Sequence, residues 1–211
     1  MITLAKDMAL TAPLTIDKDI TINGDGKTIS GKPMTVTADV KFENVTLSKP
    51  TNADKNASLV YARVGCENLT FEGVTFTDPQ WEAIQITSNE LKTLTVNNCT
   101  FTAANVDGAE SKYGNQVNQA IRFIHFEALN GARPVVDFTI TNNTFQNCNK
   151  VLAPIGIFYI GEGSTLHVCN NTFDHAELVA QNLIFGWPAM EELKLPEKWG
   201  VSELTTYTYS K

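Results

Sequence analysis

The sequence has no close pair of cysteines and no histidines at a metal-binding spacing. Its four cysteines and three histidines all occur singly, and they are Cys66, Cys99, Cys148, Cys169, His125, His167 and His175. Structural zinc sites and redox-active dithiols use C-x-x-C pairs, and zinc proteases use spacings such as H-E-x-x-H. We therefore predict no metal site and no cofactor, and we expect the four cysteines to be reduced structural thiols.

The sequence also lacks a long apolar run and a cluster of basic residues. Its most apolar stretch, residues 151–160, is about half of the roughly 20 residues that a membrane-spanning helix needs, and Pro154 and Gly156 interrupt it. Lysine and arginine total 16 against 23 aspartate and glutamate, a net charge of −7. Nucleic-acid binding requires cations that neutralise phosphates. We expect neither a membrane span nor a nucleic-acid partner.

The composition is that of one folded domain. Hydrophobic residues make up 43% of the 211 residues and charged residues 18%, so the chain can bury a core and does not have the composition of a disordered protein. At the N-terminus, Lys6 and Asp7 interrupt the apolar residues. We therefore expect no secretory signal there and no export by the ordinary route.

An internal repeat is the most informative feature of the sequence. Five ten-residue segments align without gaps, starting at Val40, Leu69, Leu94, Phe138 and Leu166, and a sixth copy starting at Leu14 fits with one inserted residue. The fifth position holds Asn44, Gly73, Asn98, Asn142 and Asn170, and the eighth holds Leu47, Phe76, Phe101, Phe145 and Phe173. Asparagine and glycine tolerate the left-handed backbone of a tight corner. Each copy therefore predicts a strand, a corner and a strand, with the phenylalanines in one inward column and the corner asparagines in an amide ladder.

A third apolar stretch precedes each of the later copies, which indicates three strands per repeat. The copies are spaced by 29, 25, 44 and 28 residues. A repeat of roughly 25 to 29 residues is too short for a propeller blade, and it lacks the helical half of a leucine-rich repeat. We predict an all-β fold, a right-handed single-stranded parallel β-helix of about seven coils over residues 1–185, with a C-terminal cap or docking extension over residues 186–211. The spacing of 44 predicts a long excursion from one coil, residues 103–119.

The segment LTIDKDITINGDGKTISG at residues 14–31, followed by the repeated N-x-T-F corners, resembles the pectate-lyase-like superfamily of right-handed β-helices. The resemblance covers residues 2–185 and implies an architecture more than a chemistry. The superfamily includes lyases, glycoside hydrolases, epimerases, phage tailspikes and virion proteins without catalysis. The adjacent aspartates, the G-H-G and the R-x-K of its polygalacturonase branch do not occur in this sequence, and we find no convincing set of calcium ligands for its lyase branch.

The long excursion and the strand after it contain the best candidates for a functional surface. An acid, a base and a cation near one outward strand could serve glycoside cleavage or uronate elimination, and a tryptophan could stack on a sugar. A loop of mixed charge is more often solvated surface, so we assign no catalytic residue. The candidate glycan contacts are Trp81, Asp107, Glu110, Tyr113, Arg122 and His125.

The residues after Phe185 break the repeat and are rich in aromatic side chains. A solenoid must cover its exposed end, and an alternating strand can also add to a sheet of a neighbouring subunit. We therefore predict either a cap or a docking segment. Its candidate docking residues are Trp187, Trp199, Tyr207 and Tyr209.

These observations favour a non-enzymatic structural protein of a virion surface. We expect a phage capsid decoration or fibre-associated protein with a weak glycan contact, which assembles with a capsid protein or with copies of itself. The alternative is a polysaccharide-binding module, or a carbohydrate-active lyase or hydrolase, with a cytoplasmic or extracellular location.

Overall fold

The computed structural model describes residues 1–50, 58–77, 79, 82–102, 121–123, 133–146, 155–158, 160–173, 184–187 and 204–208. Every regular element in these residues is a β-strand, and the strands form three sheets. We number the strands in chain order and the sheets by the order in which the chain enters them. The predicted all-β class is therefore confirmed for the described part of the chain.

Sheet 1 contains Ile2–Thr3 (β1), Ile20–Asn23 (β4), Val40–Glu43 (β7), Asn68–Glu72 (β10), Thr93–Asn97 (β13), Asp137–Thr141 (β16), Thr165–Cys169 (β19) and Leu204–Thr208 (β22). Sheet 2 contains Met8–Ala9 (β2), Thr28–Gly31 (β5), Thr46–Pro50 (β8), Thr75–Thr77 (β11), Thr100–Thr102 (β14), Thr144–Gln146 (β17) and Thr172–Phe173 (β20). Sheet 3 contains Leu14–Ile16 (β3), Met34–Val36 (β6), Val60–Ala62 (β9), Ile84–Ile86 (β12), Ile121–Phe123 (β15), Ile155–Phe158 (β18) and Ile184–Trp187 (β21).

The chain visits the three sheets in a fixed rotation up to β21, and each strand pairs in parallel with the strand three places later. The register follows the sequence repeat, because Thr75 pairs with Thr100 and Thr100 pairs with Thr144. The copies that are 44 residues apart therefore pair at the same repeat positions as the copies that are 25 residues apart. The described strands form a parallel β-solenoid, consistent with the predicted β-helix.

The corners between sheet 1 and sheet 2 are two residues long from β7 onward, and their first residue has a left-handed backbone. The φ angles of these residues are Asn44 47°, Gly73 61°, Asn98 53°, Asn142 58° and Asn170 58°. The predicted strand-corner-strand unit is thus confirmed. The four asparagine side chains are exposed, so the prediction that this column forms a half-buried amide ladder is wrong.

A buried amide lies one residue further along the chain, at Asn143, and a half-buried one lies at Asn171. Asn143 is 1% exposed; its Oδ1 accepts the backbone N–H of Cys99 at 2.8 Å, and its Nδ2 donates to the Val96 carbonyl at 2.9 Å. The Nδ2 of Asn143 also donates to Oδ1 of Asn171 at 2.9 Å, and Nδ2 of Asn171 donates to the Ile140 carbonyl at 2.9 Å. These bonds tie three successive corners together and satisfy polar groups inside the core.

Apolar side chains from all three sheets form one continuous core. Within it, the rings of Phe76 and Phe101 stack with centroids 4.6 Å apart, and those of Phe101 and Phe145 with centroids 4.8 Å apart. All three rings are fully buried. The predicted inward column is confirmed for these residues, while the side chain of Phe173 lies outside the described part.

Three of the cysteines are free and buried, namely Cys66, Cys99 and Cys169. Burial raises the pKa of the Cys66 and Cys99 thiols to about 12. Both are therefore protonated at neutral pH and fit the predicted structural role. Cys148 lies outside the described residues.

The C-terminal strand β22 pairs antiparallel with β19, which is the last parallel strand of sheet 1. Leu166 is the partner of Tyr207, and Val168 is the partner of Leu204. The preceding strand β21 pairs in parallel with β18, and Trp187 is its last residue. The aromatic segment after Phe185 therefore supplies strand residues to two sheets of its own chain.

Candidate functional site

Seven of the predicted site residues lie outside the described part of the chain. They are Trp81, Asp107, Glu110, Tyr113, His125, Trp199 and Tyr209. Arg122, Trp187 and Tyr207 are placed by the strands that contain them, β15, β21 and β22. Arg122 thus belongs to sheet 3 and Tyr207 to sheet 1.

Arg122 occupies a row of sheet 3 that also contains Gln85 and Tyr61. Arg122 is the in-register partner of Gln85, and Gln85 is the partner of Tyr61. Ile84 and Ile86 on either side of Gln85 are fully buried, whereas Gln85 is half-buried. Because side chains alternate along a strand, Gln85 lies on the outer face. We call Tyr61, Gln85 and Arg122 the sheet 3 row.

Three connections from sheet 2 lead into the strands of this row, and one of them is the longest of the connections that run from sheet 2 to sheet 3. Nine residues precede β9, six precede β12 and eighteen precede β15. The excursion that carries Asp107, Glu110 and Tyr113 is the one before β15, and Trp81 is in the connection before β12. Chain connectivity therefore attaches four of the predicted glycan contacts to the strands that form the row.

Tyr61 is held at the edge of the core by its neighbours. Its hydroxyl accepts the backbone N–H of Ser58 at 2.9 Å, and the guanidinium carbon of Arg63 lies 5.3 Å from the centre of its ring. Burial raises the pKa of Tyr61, and the nearby charge of Glu82 raises it further, against the effect of the Ser58 hydrogen bonds. Tyr61 therefore keeps its proton at neutral pH.

Glu82 is a buried acidic residue next to the row, and it is linked to Tyr61 through Ser58. Glu82 and Ser58 are both fully buried, and Ser58 Oγ donates to Glu82 Oε2 at 2.9 Å. A buried polar group requires such a bond because it has left water. The sequence analysis did not identify either residue, although an acidic residue directly before the apolar stretch 83–86 was an available signal.

The side-chain types of the row are ones that form hydrogen bonds with hydroxyl groups. An amide and a phenol offer both donors and acceptors, and a guanidinium offers donors only. Such groups suit the hydroxyls and carboxylates of a uronate-containing sugar. The arrangement thus combines polar recognition groups with adjacent chain segments of variable length.

A second polar cluster lies at the start of the sheet 1 strands and centres on Asp39. The Oδ1 of Asp39 accepts the backbone N–H of Glu67 at 3.0 Å and of Asn68 at 2.8 Å, and its Oδ2 accepts Asn68 Nδ2 at 2.6 Å. Asn68 Oδ1 then accepts the hydroxyl of Thr93 at 2.7 Å. The carboxylate of Asp39 is therefore used to join successive strands.

The pKa of Asp39 is lowered in the folded protein. Burial raises this pKa, but the hydrogen bonds from Asn68 and Glu67, with the charge of Lys92, outweigh burial. The charged Asp39 carboxylate therefore stabilises the folded state. This stabilisation is fully present above the unfolded-state pKa of about 3.9 and is lost as the pH falls through the lower folded-state pKa.

We expect Asp39→Asn to lower the free energy of unfolding by about 1 kcal/mol at pH 7, because the amide replaces a charged acceptor facing Asn68 Nδ2. The deficit should shrink at acidic pH, where Asp39 itself loses its charge. Urea unfolding at a series of pH values measures both effects. The control is Asp25→Asn in an exposed turn, where the side chain is 73% exposed and asparagine also accepts the positive φ. A deficit that does not depend on pH would contradict the role of the Asp39 charge.

Two carboxylates are direct neighbours on the outer face of sheet 1. Glu43 and Glu72 are in-register partners on β7 and β10. Glu43 forms an ion pair with Lys41, and Asn97 Nδ2 donates to the two oxygens of Glu72 at 2.9 and 3.2 Å. Both carboxylates therefore have partners on their own or an adjacent strand.

In the part of the chain that the structure describes, no group of three or more histidine, cysteine, aspartate or glutamate side chains is arranged to hold a metal ion. None of the elements in that part is a helix of the length and apolar character needed to cross a membrane.

Comparisons of this chain with protein-family models, with curated proteins and with solved structures find no match.

Proposed function

We propose that this protein is a non-enzymatic structural protein of a virion surface, in which the solenoid is a right-handed β-helix of about seven coils of the pectate-lyase-like kind. A decoration or fibre-associated protein needs a rigid body that survives outside the cell. A solenoid core with satisfied internal polar groups supplies such a body.

The observation that carries this proposal is how the polar side chains of sheet 1 are used. Asp39 binds the next strand through three hydrogen bonds, and Glu72 accepts both of its hydrogen bonds from Asn97 on the following strand. A catalytic acid or base must instead reach the proton of a substrate. These carboxylates strengthen the stacking of strands, which supports a scaffold.

The test is the composition of purified particles. If the proposal is right, virions banded from the protein's source contain this chain at a constant copy number, measurable by quantitative mass spectrometry. A chain that stays with the soluble proteins through two successive gradients is not a virion component. The same samples, treated with increasing salt, report how firmly the chain is attached.

A second candidate function, polysaccharide binding, is favoured by the sheet 3 row. Arg122 is in register with Gln85, and Gln85 with Tyr61, next to the connections that carry Trp81 and Asp107. Titration with uronate and neutral polysaccharides separates the two proposals. Binding that Gln85→Ala weakens would support this candidate if it is unchanged in Thr35→Ala, a control on β6 at the in-register partner of Tyr61. Turnover that is lost in Arg122→Ala or Asp107→Ala would overturn the structural proposal.

The C-terminal strand offers a further prediction about attachment. Deleting residues 201–211 removes β22 but leaves the parallel pairing of β16 with β19 in place. We expect the solenoid to stay folded and its association with the virion to weaken. Thermal unfolding and co-sedimentation with particles measure the two effects. A collapse of the melting temperature would identify β22 as a structural cap, and no change in either measurement would exclude both roles.

A further inference from the structure

One cysteine in the described part of the chain differs from the other two in its place in the fold. Cys66 and Cys99 pack inside the continuous core, whereas Cys169 is buried but does not belong to the core cluster. Cys169 is the last residue of β19. Val168 beside it is a core residue, and side chains alternate along a strand. Cys169 and His167 therefore lie together on the outer face of sheet 1.

The thiol of Cys169 faces a basic nitrogen atom. Its Sγ lies 3.4 Å from Nε2 of His167. The thiols of the other two cysteines donate instead to backbone carbonyl oxygens, Cys66 at 3.8 Å and Cys99 at 3.2 and 3.6 Å. A carbonyl oxygen holds the thiol hydrogen in place, whereas a neutral imidazole can remove it and leave the nucleophilic thiolate. Cys169 and His167 thus form a nucleophile paired with a base.

The surroundings of this pair admit a small reagent. Cys169 is 5% exposed, compared with 0% for Cys66 and 1% for Cys99. Hydrogen peroxide is close to water in size, so it can approach a residue that water still touches. The in-register partners of the pair on β16 are Thr139 and Thr141, whose hydroxyl groups carry no charge. The site therefore favours a small, uncharged oxidant.

On the other side of β19, the pairing with β22 is irregular at His167. Leu166 pairs with Tyr207 and Val168 with Leu204, so two steps along β19 correspond to three along β22. An extra residue of this kind is a β-bulge, which interrupts the regular ladder and redirects side chains, and bulges are frequent next to active sites. The bulge therefore lies at the position where the base of the pair is held.

We propose that Cys169 is a modification site, a thiol that hydroperoxides oxidise to sulfenic acid with His167 as the proton acceptor. Nε2 of His167 takes the thiol proton while Sγ attacks one oxygen of the peroxide. The S–O bond forms and the O–O bond breaks. The hydroxide that leaves takes the proton back from the imidazolium and becomes water. The sulfur loses the two electrons that the peroxide gains, and a thiol reductant restores Cys169.

The experiment treats the folded full chain with hydrogen peroxide and measures the thiols that survive. Timed samples are quenched, unfolded in urea and alkylated, and peptide mass spectrometry then reports the free thiol at each cysteine. We expect Cys169 to lose its thiol about a hundredfold faster than Cys66 and Cys99, the lower end of what a positioned base contributes. Reduction before alkylation should restore the thiol, because sulfenic acid is reversible and sulfinic acid is not.

Two variants identify the role of His167. His167→Gln keeps a polar side chain of similar size but removes the base, and we expect it to slow the oxidation of Cys169 about a hundredfold. Thr139→Ala is the control, because it trims the in-register partner of His167 and leaves the base in place. Its oxidation rate should equal that of the parent chain. If His167 only covered the thiol, His167→Gln would leave the rate unchanged or raise it.

An oxidation rate of Cys169 that is no higher than those of Cys66 and Cys99 overturns this inference, and that comparison requires no variant. Oxidation that is equally fast in His167→Gln and in the parent chain also overturns it, because the imidazole then takes no part. Thermal unfolding verifies that both variants fold. These results are independent of the virion role, which particle composition tests separately.

Discussion

Replacing Phe101 with alanine should lower the free energy of unfolding by about 3–5 kcal/mol. The ring is fully buried and stacks on Phe76 and Phe145 at 4.6 and 4.8 Å with nearly parallel planes. Phe76 and Phe145 are on strands of sheet 2 that are hydrogen-bonded to the strand of Phe101. The two rings therefore cannot approach each other to fill the cavity that the lost ring leaves. The variant keeps a cavity in the middle of the core.

Chemical denaturation followed by circular dichroism measures this loss. The matched control is Thr95→Ala on β13, which is half-buried on the outer face of sheet 1 and should change stability by less than about 0.5 kcal/mol. A loss below about 1 kcal/mol in Phe101→Ala would mean that the column does not form the core of the folded chain.

The second large effect is expected at Gly65, in the connection from sheet 3 to sheet 1. Its φ is +100°, and a Cβ at this position would lie 2.3 Å from the carbonyl oxygen of Thr37 in the preceding connection. Gly65→Ala therefore combines a strained backbone with a clash against a neighbouring backbone. We expect a loss of about 3 kcal/mol or more.

Gly163→Ala separates these two contributions. Gly163 has a similar φ of +89°, but the nearest atom to its added Cβ, Cγ1 of Val135, is 3.8 Å away. Gly163→Ala should therefore lower the free energy of unfolding only by the cost of the strained backbone, about 1–2 kcal/mol. Equal losses in the two variants, measured by the same denaturation experiment, would contradict the close stacking of the connections at Gly65.

The strand-corner-strand repeat could be predicted from the sequence because its corner has a local chemical requirement. Glycine, asparagine and aspartate accept the left-handed φ more readily than other residues do, and asparagine or glycine recurs at this position in Asn44, Gly73 and Asn98. The inward phenylalanines follow from the strict alternation of a strand. These features depend on neighbours in the chain.

The position of the buried amide at Asn143 was harder to predict. Asn142 and Asn143 are adjacent and chemically identical, and the direction of the backbone at the corner decides which of them enters the core. The available signal was the corresponding position in the earlier copies, where Val45, Val74 and Cys99 are buried. A position that is otherwise apolar indicates the inner face.

The polar clusters could not be predicted because they join residues that only the register brings together. Asp39 contacts Asn68 across 29 positions, and Ser58 contacts Glu82 across 24. The number of residues between such partners varies from one repeat to the next, so sequence spacing does not identify them.

The connections between strands differ in length without changing how the strands pair, and this has a consequence for protein engineering. The segment between β11 and β12 has six residues and the one between β14 and β15 has eighteen, yet the strands on either side pair without a shift. Tripling the length of a connection costs only about 1 kcal/mol of closure entropy. A foreign peptide grafted within residues 103–119 would therefore enter the chain between β14 and β15 at a cost of about 1 kcal/mol of closure entropy, and the pairing of the strands on either side should stay the same.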